Sequence, residues 1–360
     1  ELRDALGEDK DVPLLGMPAE SDWVLHAPYS DKSLMRNAMI YHWSNAIGRY
    51  ATRTRFAEVF IAPHDGPVGV DDYRGVYVVM EKIKRGPDRV NVTKITEDDV
   101  YEPEISGGYI LKKDWWDEGM DTLIYQDHLI WVEPSAEALV EEQTDWLFGF
   151  FNAFESALAG PDFANPWMGY SAFIDVDSFI DHHLLVEFAR NVDGFVLSTY
   201  MHKEREGRLN MGPIWDYNGA LGGADYFCSW LTEGWHHTFN ESQCGGGGES
   251  FPADNPSAYS WYERLFEDPA FQVRYAQQWE KHRQGALATA QLHADIDAAA
   301  EALSQSQARN FARWPTLGEY VWPNAPGWDE RLTFEEEVAY LKSWLAARAA
   351  WMDEALGVAP

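Results

Sequence analysis

The chain has 360 residues, 46% of them hydrophobic and 14% aromatic, enough to bury a sizeable core and too apolar for a disordered polymer. Fifty-nine acidic against 28 basic residues leave a formal charge of −31, which repels nucleic acid and anionic membranes at long range and removes both from the expected partners. No stretch approaches the roughly 18 consecutive apolar residues that span a bilayer, so membrane insertion is not expected.

Ser30 and Asp31 are positioned to cap a helix that runs through Leu34, Ala38, Tyr41 and Ile47 and stops near Gly48. Strands are predicted over 55–61, 73–81, 108–113 and 129–132, where β-branched and aromatic residues alternate with Asp-Gly and Gly-Pro punctuation. A helix is predicted over 136–158. Residues 176–191 read as an amphipathic helix, with Phe179, His183, Val186 and Arg190 on one face and Ile180, Leu184 and Glu187 on the next. Strand-like runs at 194–202 and 209–215 flank a polar turn and predict a hairpin, and a Gly- and Trp-rich stretch follows over 219–256. Helices are predicted over 257–267, 270–284, 288–307 and 334–356. The fold class is therefore α+β, with a mixed or antiparallel sheet in the portion to about residue 135 and helices from about 136 onward. No boundary divides 1–360 into independent units, and one domain is expected.

A phosphate-bearing ligand entering so acidic a chain needs a divalent cation and a local basic patch. Lys82, Lys84, Arg85, Arg89 and Lys94 form one such patch, opposed only by Asp88. Cys228 and Cys244 sit close together in a loop-like region; a disulfide between them would be worth ~3 kcal/mol in the chain-entropy model. Such a pair suits an oxidising compartment. Free thiols, or a zinc site using Cys228, His236 or His237 and Cys244, are the alternatives.

The most suggestive pattern is a helix, then Asn191-Val192-Asp193, a hairpin, and Ile214-Trp215-Asp216-Tyr217-Asn218. Protein kinases use a similar order, one Asp following a helix and a second following a hairpin, because phosphoryl transfer depends on charge neutralisation and alignment. Asp216 is the main metal-ligand candidate, with Asp193 orienting the nucleophile or sharing the metal and Asn191 and Asn218 in support.

Several segments resemble the CotH family of atypical kinase-like proteins. They are Ser21-Asp22-Trp23-Val24-Leu25, Ser33-Leu34-Met35-Arg36-Asn37, Phe56-Ala57-Glu58-Val59-Phe60-Ile61 and the run from Tyr73 to Lys84. Arg89-Val90-Asn91, Gly107-Gly108-Tyr109-Ile110, the two aspartate motifs and Arg313-Trp314-Pro315 continue the family order, so the likeness runs from about residue 21 to 355. The resemblance implies a kinase-like fold that uses ATP with Mg²⁺ or Mn²⁺, Ca²⁺ being a further option, and phosphorylates secreted or surface proteins. It implies that Asp193 and Asp216 are catalytic, that Glu81 faces the nucleotide, and that Lys82, Lys84, Lys112 and Lys113 are the candidates for phosphate contact.

Two departures weaken the metal site. The family often ends its metal motif as Trp-Asp-x-Asp, where this chain has Asn218, and Ser198 stands where kinases place a metal-binding Asn. The upstream segment that precedes these motifs in the family is absent here, and residues 1–4 read like the end of the strand that follows it. The second reading is therefore a catalytically inactive scaffold or adhesion protein of the same fold. Glycan contact through Trp115-Trp116, Trp230 and Trp235 belongs with that reading. His182 and His183 read as core and flanking histidines. Asn91-Val92-Thr93 and Asn240-Glu241-Ser242 match glycosylation sequons.

Overall fold

A computed structural model of the chain describes residues 1–114, 122–123, 129–238, 244 and 256–358. Trp115, Trp116 and the sequon at 240–242 lie outside them. Strands β1 (Val12–Leu14) and β2 (Met17–Glu20) form a small antiparallel hairpin that the sequence patterns did not indicate. β3 (Trp23–His26) and β4 (Thr54–Phe60) flank β5 (Tyr73–Glu81) in a three-stranded antiparallel sheet, and α1 (Arg36–Ala46) lies between β3 and β4 in sequence. Asp31 does not cap α1 as an N-cap residue would. Its carboxylate accepts from the Ser33 backbone at 3.0 Å, the Arg36 backbone at 2.8 Å and the Arg36 guanidinium, so the helix starts later than predicted. Gly48 just beyond the helix takes φ 91°, a left-handed stop that only glycine adopts cheaply.

The second sheet is five-stranded and antiparallel in every pairing: β6 (Tyr109–Lys113), β7 (Thr122–Leu123), β8 (Leu129–Glu133), β9 (Thr199–Lys203) and β10 (Leu209–Met211), in the order β10-β9-β6-β8-β7. The predicted hairpin is thus real but shorter than expected, and β9 pairs directly with β6, so Tyr200 stands opposite Lys112. Helices α2 (Glu141–Ala159), α3 (Val176–Ala189), α4 (Pro256–Leu265), α5 (Pro269–Arg283), α6 (Thr289–Leu303), α7 (Ser306–Arg313) and α8 (Phe334–Ala355) make up the rest. The helix predicted over 288–307 is two helices. None of the described helices is long and apolar enough to cross a membrane.

The amphipathic reading of α3 is overturned. Every residue from Ser178 to Ala189 is buried, because α1, α5, α8 and β10 pack around the helix. A helix enclosed on all sides must satisfy its own polar side chains. His182 and His183 do so on the hydroxyls of Tyr262 and Tyr275, at 3.2 and 2.9 Å. Glu187, fully buried, accepts from the backbone N–H groups of His236 and His237 (2.7 and 2.9 Å), from the His237 ring (2.6 Å) and from Arg348 on α8 (3.1 Å). Arg190 and Arg348 in turn donate to the carbonyls of Thr232, Glu233 and Gly234. These contacts pin the loop that the disulfide Cys228–Cys244 closes, so the free-thiol and zinc alternatives fall away.

Burial alone would raise the pKa of Glu187, but the charge and hydrogen bonds of His237 and the charge of Arg348 outweigh it and hold the carboxyl well below its ordinary 4.5. The stabilisation from this ionised group is therefore complete above pH ~4.5 and is lost as pH falls through the depressed folded value. Glu187→Gln leaves Arg348 buried without its counter-charge. It is expected to lower stability at pH 7 by about 3–5 kcal/mol in urea unfolding, an unchanged midpoint contradicting this account.

Candidate functional site

Asp193 and Asp216 reach the same region from different elements. α3 ends at Arg190, which takes the left-handed conformation (φ 45°), and the chain turns tightly so that the Asp193 carbonyl accepts from both Val196 and Leu197 at 2.8 Å. Gly194 is required in this turn: a Cβ there would stand 2.8 Å from the Val186 side chain on α3. Asp216 follows β10 and Ile214, and it also adopts a left-handed backbone (φ 62°), a conformation Asp tolerates better than most residues but that still has to be held.

α1 supplies the hold. The Tyr41 hydroxyl accepts the Asp216 N–H at 2.9 Å, and the Asn37 side chain, one turn earlier, accepts the Tyr217 N–H at 2.8 Å. Asn37 is itself in contact with His26 Nε2 at 3.3 Å. Trp215 stacks on the Tyr41 ring at 6.1 Å and meets Tyr200 edge-on at 6.5 Å. Asp216 is an exposed residue, yet partial desolvation of its carboxyl by the surrounding protein raises its pKa. Asp114 raises it further, while His26 pulls it down.

Asp193 is pushed to about 6, first by burial, then by the charges of Asp216 and Asp114. The charges of Asp216 and Asp114 thus reach Asp193, and that of Asp114 reaches Asp216. Asp114 escaped the sequence reading; its one local signal is its place two residues after Lys112, on the same side of the strand. Lys112 pairs with Asp114 at 2.8 Å. Tyr200, opposite Lys112, feels both Asp114 and Asp216, and Tyr226 feels Asp193 and Asp216.

The other predicted site residues sit differently. Asn191 is buried, with its amide beside the Tyr217 hydroxyl but without a well-formed hydrogen bond to it. Asn218 is half-buried two residues beyond Asp216, and Ser198 is half-buried with φ 50°. Glu81 is fully buried, its oxygens taken by the Arg53 side chain and backbone (both 3.0 Å) and the Tyr50 hydroxyl (3.2 Å). Lys84 is held by Asp22 at 2.9 Å and Glu20 at 3.0 Å, and Lys82 is exposed. Lys113 is buried, which lowers its pKa to about 8. Trp235 packs edge-on against Trp351 at 5.0 Å.

Carboxylates whose charges act on one another suit a hard divalent cation, whose charge would relieve the repulsion. Among the described residues one group of three has ligand spacing, and it is a different one: atoms of His183, Glu187 and His237 lie within 4.8 Å of one another. Arg348 already occupies the same carboxylate, and the backbone donors described above use its remaining lone pairs, so this group behaves as hydrogen-bonded core.

A family model described as CotH kinase protein matches residues 1–352. The chain belongs to that family, and its kinase-like character follows from the membership. No curated protein matches it.

Because Asp193 and Asp216 are held with raised pKa values, their ionisation at neutral pH costs stability relative to the unfolded chain. Asp193→Asn and Asp216→Asn are each expected to raise Tm at pH 7 by about 2–4 °C in metal-free buffer. The gain should shrink toward pH 4, where the unfolded carboxyls also become protonated. Calorimetric scans across that range check this; a lowered Tm at pH 7 would refute the repulsive cluster.

Proposed function

We propose that the chain is a secreted protein kinase that transfers the γ-phosphoryl group of ATP to Ser or Thr hydroxyls of extracellular or surface proteins. The observation that carries the reading is the convergence of Asp193 after α3 and Asp216 after the β9–β10 hairpin, in a chain of the CotH kinase family. Asp216 would be the main ligand for Mg²⁺ or Mn²⁺, with Asn218 and Asp193 in support, and the cation would neutralise phosphate charge when bound. Asp193 orients the acceptor hydroxyl and takes its proton as the oxygen bonds to phosphorus and the bond to the ADP oxygen breaks. Its raised pKa suits a base working near neutrality. Lys112, paired with Asp114, is the lysine we assign to phosphate, since a bound cation would draw Asp114 away from it; Lys84 is held by two carboxylates, Glu20 and Asp22. Tyr41 and Asn37 keep Asp216 in its left-handed conformation. The disulfide supports an oxidising, extracellular setting. Reading 1–360 as one domain fits the way β9 completes the sheet begun by β6.

Asn218 and Ser198 favour the second reading, a scaffold of the same fold without transfer, since each replaces an oxygen ligand common in active relatives by a weaker one.

Calorimetric titration with ATP separates the two. Binding that requires Mn²⁺ or Mg²⁺, disappears in Asp216→Ala and weakens roughly ten-fold in Lys112→Ala is the outcome expected of the kinase. A folded native chain that binds no nucleotide at millimolar metal decides for the scaffold.

ATP turnover should also fall on the acid side with a limb at or below pH 6, since only ionised Asp193 accepts a proton and a bound cation can only lower its pKa. Persistence of that limb in Asp193→Asn would remove the residue from this role.

A further inference from the structure

Two residues of α1 hold the backbone at Asp216, and one of them is held in turn. Asn37 is 4% exposed, and its two amide atoms face different partners. Oδ1 accepts the Tyr217 N–H at 2.8 Å, while Nδ2 lies 3.3 Å from Nε2 of His26, the last residue of β3. A backbone N–H can only donate, so the atom before Tyr217 must be the amide oxygen. The amide nitrogen is then turned to His26, and it too can only donate. His26 Nε2 must therefore bear a lone pair, and the neutral ring carries its proton on Nδ1.

The opposite state is equally well defined. A proton on His26 Nε2 would confront the Asn37 amide with a second donor. Rotating the amide to meet it would put Nδ2 against the Tyr217 N–H and take away that group's acceptor. Tyr217 is 1% exposed, so water is a poor substitute there. Asp216 beside it sits at φ 62° and would keep only the bond from its own N–H to Tyr41. Burial holds the His26 ring on the neutral side, against the charges of Asp31 and Asp216 that favour a proton. The amide thus has two orientations, and the histidine lone pair chooses between them.

We propose that His26 is a positioning residue for Asp216: the lone pair on its Nε2 sets the Asn37 amide, and the amide keeps the left-handed turn that presents the carboxylate. The consequence for catalysis rests on the reading of Asp216 as the main metal ligand; the hydrogen-bond relay itself does not. His26 acts only through Asn37 and is not itself a ligand.

Nitrogen NMR of the His26 ring in the full-length protein, above neutral pH, tests the relay. Protonated Nδ1 with unprotonated Nε2 is expected, and a majority of the Nε2–H form overturns the proposal. Two variants then separate hydrogen bonding from packing. Gln places its amide oxygen where Nε2 stands, whereas Leu fills similar space with no acceptor. His26→Leu is expected to shift the Tyr217 amide resonance, to speed its exchange with solvent, and to weaken Mn²⁺ binding in calorimetry roughly ten-fold. His26→Gln should recover most of that loss. If packing were the whole role, the apolar Leu would be tolerated at least as well as Gln, and that order overturns the proposal. Should His26→Leu fail to fold, the tautomer in the native protein and Tyr217 exchange in His26→Gln still decide it. Native protein that binds no Mn²⁺ defeats the metal-site reading of Asp216, while the tautomer and the Tyr217 amide continue to decide the relay.

Discussion

The Glu187 carboxylate is the contact on which the arrangement of the helical portion turns. α3 is surrounded by protein, so a charge on it has no water to lean on and must be met by donors arranged around it. Those donors come from two separate places: Arg348 on α8, and the loop at His236 and His237, which supplies two backbone N–H groups and the His237 ring. One side chain thereby ties the C-terminal helix and the disulfide-closed loop to the helix whose end presents Asp193. The ionic centre stabilises the fold less by its own net energy, which desolvation largely cancels, than by permitting only one arrangement of the three.

α1 plays the matching part for Asp216. Asn37 and Tyr41 are one helical turn apart, so they face the same way and reach consecutive backbone N–H groups. A left-handed Asp costs conformational energy, and two hydrogen bonds from a buried helix are what keep it there. The pKa values of Asp193 and Asp216 rise first because the surrounding protein desolvates them and then because Asp114, and for Asp193 also Asp216, adds negative charge nearby. A fold selected for stability alone would not gather Asp114, Asp193 and Asp216; the strain is understandable if a cation or a transferred proton relieves it in use.

Much of this was legible in the sequence where the signal is local. The β5 bounds, the order helix–Asp–hairpin–Asp and the sheet-then-helix progression all come from periodicity and turn chemistry within short windows. What could not be read is set by contacts across the chain. Asp114 carries no motif of its own and enters the site because β6 pairs with β9. The clamp from Asn37 and Tyr41 spans 180 and 175 residues. α3 reads as amphipathic because His183, Glu187 and Arg190 are polar, and only the packed structure shows that each polar group is met inside the core. Lys84 resembles a phosphate ligand in a basic run, but Glu20 and Asp22 on the preceding segment claim it.

Charge is placed differently by sign. The carboxyls of Asp193 and Asp216 are held with raised pKa values, whereas the guanidinium groups of Arg36, Arg89, Arg190 and Arg348 are buried among backbone carbonyls and partner carboxylates. The segment Gly212–Asp216 runs between these two environments. Ile214 lines a cavity that Arg49 and Arg89 also line, Trp215 packs on Tyr41, and Asp216 is exposed. Ile214 and Asp216 are two residues apart, and the left-handed turn of the backbone at Asp216 rather than strand alternation sets their different directions. A change in the packing of Ile214 therefore acts on the same short stretch of backbone that Tyr41 and Asn37 hold for Asp216.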